Sequence, residues 1–232
     1  MAKNKKSDEP PKINGGYSKD ASNLIGVRTA KEGSAYAKAL APDLEGFNTP
    51  SYGSRKQQKG EEVEMNETQA IEYIQRIAGV DAQTAKEMND AVWSWTDGSY
   101  HGIREVQQGR SSNEVHKKYG ENIEKFLERA TKWGGGVTYR GIDVYDIGYR
   151  VGDKIDMKGT SSWSTQESIA RSFAGSSGSV FVSQTQSRGT STNFSHQHHG
   201  EHEVTVSRKA KYIVDKIEKR GYRTYYFVHE TS

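Results

Sequence analysis

Trp133-Gly134-Gly135-Gly136-Val137-Thr138-Tyr139-Arg140-Gly141-Ile142 is where this chain changes period. Before it, apolar residues recur every three or four positions. After it, they alternate or cluster as β-branched and aromatic runs. Each glycine in a helix costs roughly 1 kcal/mol relative to alanine, so three in succession stop one. The residues that follow suit a pleated strand.

Upstream of that break the spacing predicts helices. Asn66 can cap the first, with Gln69 as its capping-box partner. Ile71, Ile74, Ile77 and Ala78 follow at helical spacing, and Gly79 ends the run. Asp81 can cap a second helix carrying Ala85, Met88, Ala91, Val92 and Trp95. Thr96-Asp97-Gly98-Ser99 reads as a turn, and a short helix with Tyr100, Ile103 and Val106 comes next. A longer one is expected from about Ser112 to Trp133, with Val115, Tyr119, Ile123, Phe126, Leu127 and Ala130 on one side. Residues 65–133 are thus predicted to form a helical subdomain.

Downstream, residues 134–232 form the predicted β-rich part. Val137–Val144, Lys154–Met157, Val180–Gln184, Glu203–Ser207, Tyr212–Ile217 and Thr224–His229 read as strands, with a short helix at Gln166–Ala174 between them. Helices first and strands later predict an α+β fold with a mostly antiparallel sheet. Residues 1–64 hold all four prolines together with Gly, Ser, Asn and Lys. They are expected to be a disordered extension, with one weak helical patch at 35–40.

The composition narrows the function classes. A net charge of +3 without a dense Lys/Arg stripe argues against nucleic acid as a partner. With no cysteine, a disulfide framework, a thiolate nucleophile and a cysteine zinc site are excluded. No apolar run approaches the ~20 residues of a membrane span, and the Lys-rich N-terminus lacks the apolar stretch of a signal peptide. The expected product is a soluble monomer made in the cytoplasm, acting there or delivered into a host cell.

Three short segments carry candidate chemistry. Arg140 sits in an apolar strand context, where a guanidinium is costly without a charged partner. Its fork suits a pair of phosphates, and Gly141 would let a ligand approach the backbone. Ser162 and Ser164 share a face of an extended segment, with Trp163 opposite, before a helix bearing Ala170 and Phe173. Glu201 and Glu203 are two apart at the start of a strand and would repel one another without a shared task. Breaking a glycosidic bond supplies such a task. One carboxylate stabilises an oxocarbenium-like sugar, and the other orients a nucleophile and takes its proton. Alone, each segment has a plain alternative: an edge-strand arginine, a helix entry, a solvated charge pair. His196, His198, His199 and His202 invite a metal reading, but their spacing matches no helical metal site, and no metal is expected. Phe194 is expected at a loop tip, as an anchor for a protein substrate.

Together, in this order, the segments resemble the arginine-specific mono-ADP-ribosyltransferases of the Arg–Ser–Glu class, including clostridial binary-toxin and phage-encoded enzymes. The resemblance extends to Ser94–Ile103, which is similar to the family's helical segment ahead of the core, and covers about residues 66–232. It implies a β core of two sheets and NAD as the substrate that donates ADP-ribose. It further implies that Arg140 contacts the diphosphate or nicotinamide ribose and that Gly141 bonds the carboxamide. Ser162, with Ser164 and Phe173 nearby, would line the nicotinamide pocket and hold Glu203. Glu203 would be the catalytic glutamate. Glu201 would orient the guanidinium of a target protein's arginine, and residues from about 191 to 200 would recognise that protein. Trp163 departs from the family's usual middle residue of the serine motif. NAD hydrolysis alone, and a catalytically dead adaptor of the same fold, are the competing readings. The polar tail and the lack of a signal peptide tilt the expectation toward a phage or bacterial effector.

Overall fold

A computed structural model describes residues 65–195 and 199–231. The expected disordered extension (1–64), its helical patch at 35–40, and His196 and His198 lie outside the described residues.

Four helices precede the sheet: α1 (Glu67–Ala78), α2 (Ala82–Ser94), α3 (Tyr100–Gln107) and α4 (Glu114–Arg129). Their starts follow the capping chemistry. The Asn66 side chain accepts from the Gln69 N–H at 3.0 Å while the Gln69 side chain accepts from the Asn66 N–H at 3.0 Å. Each such cap contributes about 1 kcal/mol. Gly79 closes α1 in the left-handed conformation at φ 62°, and Asp81 caps α2 through the Thr84 N–H. Between α2 and α3, residues Trp95–Ser99 form a wide turn. Gly98 there takes φ 92°, a value that favours glycine. The helices bury Ile74, Met88, Val92, Ile103, Ile123, Phe126 and Leu127 against one another.

Eight strands follow: β1 (Thr138–Ile142), β2 (Lys154–Asp156), β3 (Ser161–Ser164), β4 (Ser179–Ser183), β5 (Gly189–Ser191), β6 (Glu203–Val206), β7 (Lys211–Arg220) and β8 (Arg223–Thr231). Helix α5 (Glu167–Phe173) lies between β3 and β4. The order across the sheet is β2-β7-β8-β4-β1-β3-β6-β5. All neighbours are antiparallel except β4 and β8. The α+β class with a mostly antiparallel sheet is therefore as expected. The two sheets implied by resemblance are joined into one ladder, because β1 pairs with both halves. It aligns five residues with β4 but only one pair, Tyr139 with Ser164, with β3.

One face of the sheet buries Trp163, Phe181, Tyr212 and Tyr226. The other buries Tyr139, Val180, Val182 and Phe227 under α5. Gly141 permits that cover: a Cβ there would lie 1.8 Å from the Ala170 carbonyl oxygen.

A buried polar cluster fixes the helices to the sheet. Glu124 of α4 accepts from the Thr160 hydroxyl at 2.6 Å, from the Ser207 hydroxyl and from the Arg208 N–H at 3.0 Å. Arg104 of α3 donates to the carbonyls of Thr160 and Met157.

Candidate active site

The three segments meet in one cleft of about 290 Å³. Its walls come from the Trp95–Ser99 turn, α3, β1, β3, α5 and the residues entering β6. Arg140, Gly141, Ser162, Ser164, Phe173, Glu201 and Glu203 all line it. Positions far apart in sequence converge because β1, β3 and β6 are neighbours in the sheet.

Glu203 opens β6 and is 6% exposed. A carboxylate this deep needs donors. Its Oε1 accepts from the Trp95 indole Nε1 at 3.1 Å and from the Thr205 hydroxyl at 2.9 Å. The same indole N–H also reaches the Ser162 hydroxyl at 3.0 Å. Ser162 and Glu203 thus meet through Trp95, where the resemblance implied a direct hold.

Arg140 donates from Nη1 to the Ser162 carbonyl at 2.7 Å. Its Nε is buried and has no hydrogen-bond partner among the described residues. Burial holds the guanidinium below the ordinary arginine value, with Tyr100, Tyr212 and Glu203 opposing the shift. Arg140 borders the cleft, where a planar guanidinium suits an anion.

Ser164 does structural work at the mouth of β6. Its hydroxyl donates to the Glu201 carbonyl at 2.7 Å and accepts from the Gln166 N–H at 3.0 Å. Glu201 and Glu203 are not consecutive same-face residues of a strand, as the alternation predicted. Glu201 ends a short 3-10 turn (His199–Glu201), and His202 takes φ 50° before β6 begins. That left-handed residue swings the chain, and both glutamates still border the cleft. Phe173 on α5 is 39% exposed and lines the cleft.

Phe194 is a correction. The ring is 2% exposed and packs on Tyr73 and Phe126, with centroids at 5.0 and 6.2 Å. Such burial contributes roughly 1.5–3 kcal/mol and leaves nothing to present to a partner. Phe194 is a peg that seats the loop on the helices. The adjacent Ser195 hydroxyl stands 2.7 Å from that of Thr96. Among the described residues, no cluster of three metal-ligating side chains occurs, and no helix is long and apolar enough to cross a membrane.

Sequence reasoning missed Trp95 and Thr205. By spacing alone, Trp95 is one more apolar position following α2. The available signal is a tryptophan followed by Thr-Asp-Gly, since a turn there leaves the indole at the end of the helical core, where its N–H can reach the sheet.

No protein-family model matches the chain, and no curated protein matches it. Solved structures do. Exoenzyme S from Pseudomonas aeruginosa, in complex with human 14-3-3 protein beta and bound to Carba-NAD, aligns with a TM-score of 0.57 at 17% identity. The alignment covers 84% of this chain and 89% of that one. This chain has the ADP-ribosyltransferase fold. The Clostridium limosum C3 exoenzyme aligns at 0.54 with 14% identity, over 73% of this chain and 97% of its own. The eucaryotic mono-ADP-ribosyltransferase ART2.2 aligns at 0.51 with 14% identity, over 93% and 90%. In this ADP-ribosyltransferase fold the cleft lies at the narrow β1–β3 junction, bridged from above by Trp95.

Proposed function

We propose that residues 65–232 are a mono-ADP-ribosyltransferase domain that moves ADP-ribose from NAD to arginine side chains of a target protein, releasing nicotinamide. The observation that carries this reading is Glu203: a buried carboxylate with one oxygen anchored by Trp95 and Thr205, in a cleft shared with Arg140 and Glu201. The fold supports it, and exoenzyme S, which shares that fold, is a protein that binds Carba-NAD.

In this reading Arg140 meets the negative charge of the dinucleotide, and Gly141 offers backbone bonds to the carboxamide. Ser162, Ser164 and Phe173 border the nicotinamide. The C1′–N bond breaks, nicotinamide leaves neutral, and positive charge develops on the ribose. A fixed carboxylate at Glu203 stabilises that charge and stays in place as it forms. Glu201 orients the incoming guanidinium, which bonds to C1′ and gives up one proton to the Glu201 carboxylate. The target is a protein with an accessible arginine, and the domain acts as a monomer. It works in the cytoplasm of its own or a host cell, as a toxin-like or phage-borne effector.

The test is nicotinamide release from NAD, with and without a small guanidine acceptor, for wild type and Glu203→Gln. Wild type should release nicotinamide faster with the acceptor present, and Glu203→Gln should lose the activity by on the order of 10³-fold. Wild type as inactive as Glu203→Gln with every acceptor sinks the proposal. Release without any labelled adduct would instead make the protein an NAD glycohydrolase.

A further inference from the structure

We infer that Trp95 is the positioning residue of this site: its single indole N–H fixes both the Ser162 hydroxyl and the Glu203 carboxylate. The inference rests on the transferase reading of Glu203 for its kinetic consequence, but its geometry stands independently.

Trp95 carries one donor and no acceptor. That donor is shared by Ser162 Oγ at 3.0 Å and Glu203 Oε1 at 3.1 Å. The Thr205 hydroxyl also donates to Oε1, at 2.9 Å, so its only proton is spent there. The 2.8 Å contact between the Thr192 and Thr205 hydroxyls must then run from Thr192 to Thr205. The result is a directed chain, Thr192 to Thr205 to Glu203, meeting Trp95 on the same oxygen. Both donors converge on Oε1, and Oε2 takes none among the described residues. One carboxylate oxygen is therefore anchored while the other is left for a sugar.

The indole is itself rigidly held. It is 2% exposed, packs edge-on to Tyr100 at 6.1 Å, and stands directly after α2 at the start of the turn that holds Gly98. A buried ring with two torsions loses little by being fixed. Displacing such a group by about 1 Å costs on the order of 10²-fold in rate.

Two measurements test this. The chain has four tryptophans, so four indole N–H resonances should appear in a nitrogen-15 correlation spectrum. Trp95→Phe identifies the one that disappears. That resonance should move upfield in Glu203→Ala and again in Ser162→Ala, without NAD present. A Trp95 resonance unmoved in Glu203→Ala overturns the inference, whatever the activity. In kinetics, Trp95→Phe should lower kcat for nicotinamide release by roughly 10- to 100-fold while KM for NAD changes little. The Trp95→Phe/Ser162→Ala double variant should be less impaired than the two single losses multiplied. Wild-type kcat in a folded Trp95→Phe also overturns it. Should that variant not fold, Thr205→Val removes the second donor to Oε1 and should lower kcat in the same sense. A wild type that releases no nicotinamide counts against the transferase reading, and the resonance still decides the role of Trp95.

Discussion

Arg140 donates from Nη1 to the backbone carbonyl of Ser162 at 2.7 Å, beside the single registered pair of β1 and β3, Tyr139 with Ser164. The bond ties a cleft cation to the strand carrying the serines. The Nε of the same guanidinium is buried and has no hydrogen-bond partner among the described residues. Arg140→Lys keeps the charge but loses the planar fork. A charged hydrogen bond is worth about 1.5–3 kcal/mol, so NAD binding should weaken roughly 10- to 100-fold by calorimetric titration. Unchanged affinity would remove Arg140 from the binding site.

Glu201 borders the cleft from the turn before β6, while Glu203 lies on the strand itself. Their different supports predict separable losses. Glu201→Gln should abolish transfer to a guanidine acceptor yet retain slow NAD hydrolysis. Labelled NAD read by protein-bound counts and by free ADP-ribose checks this. Equal loss of both activities would contradict a role confined to the acceptor.

Gly141 is fixed by packing as much as by ligand access. A Cβ there would meet the Ala170 carbonyl oxygen at 1.8 Å and the Ala174 nitrogen at 2.8 Å. Both are backbone atoms, so α5 would have to move off β1. Gly141→Ala should destabilise by about 2–3 kcal/mol, lowering Tm by roughly 4–12 °C. Differential scanning calorimetry measures it, and an unshifted Tm would mean that α5 floats on the sheet.

Tyr225 predicts an alkaline limit. Burial, and then the hydrogen bond to Glu167, push its hydroxyl up to about 12. In the unfolded chain it titrates near about 10. Below pH ~10 its contribution is complete. Between ~10 and ~12 the unfolded chain releases the proton and the folded one keeps it, so stability falls as pH rises. Tyr225→Phe should therefore lose less Tm across that window than wild type. Burial also raises Tyr212 and Tyr226, so some slope should remain.

Much of the fold was legible because it is written in local chemistry. Asn66, Gln69, Gly79 and Asp81 mark helix ends through contacts within a few residues, and the glycine run at 134–136 marks the change of period. Strand β5 (Gly189–Ser191) escaped because three residues without apolar alternation carry no period; its place is supplied by β6 across the ladder. Phe194 was misplaced for a related reason. Its neighbours in sequence are polar, while its neighbours in space, Tyr73 and Phe126, come from the helices. The residues that line the cleft are legible as chemical types. What holds them is not, since Trp95 reaches Ser162 and Glu203 over separations of 67 and 108 residues. Nor does any periodicity anticipate the left-handed His202 that turns Glu201 off the strand.

Strand β8 follows all the others in the chain yet stands third across the sheet, between β7 and β4. Its parallel pairing with β4 joins residues some forty-five positions apart, Ser179 to Thr224 through Ser183 to Val228. Until β8 has been synthesised, β2 and β7 can pair with each other but have no strand that joins them to β4. A nascent chain can hold Arg140, Ser162 and Glu203 already synthesised and still lack the strand that joins β2 and β7 to the ladder containing them. The cell that translates this protein is thereby confronted with a finished sheet only after synthesis of the whole described region is complete.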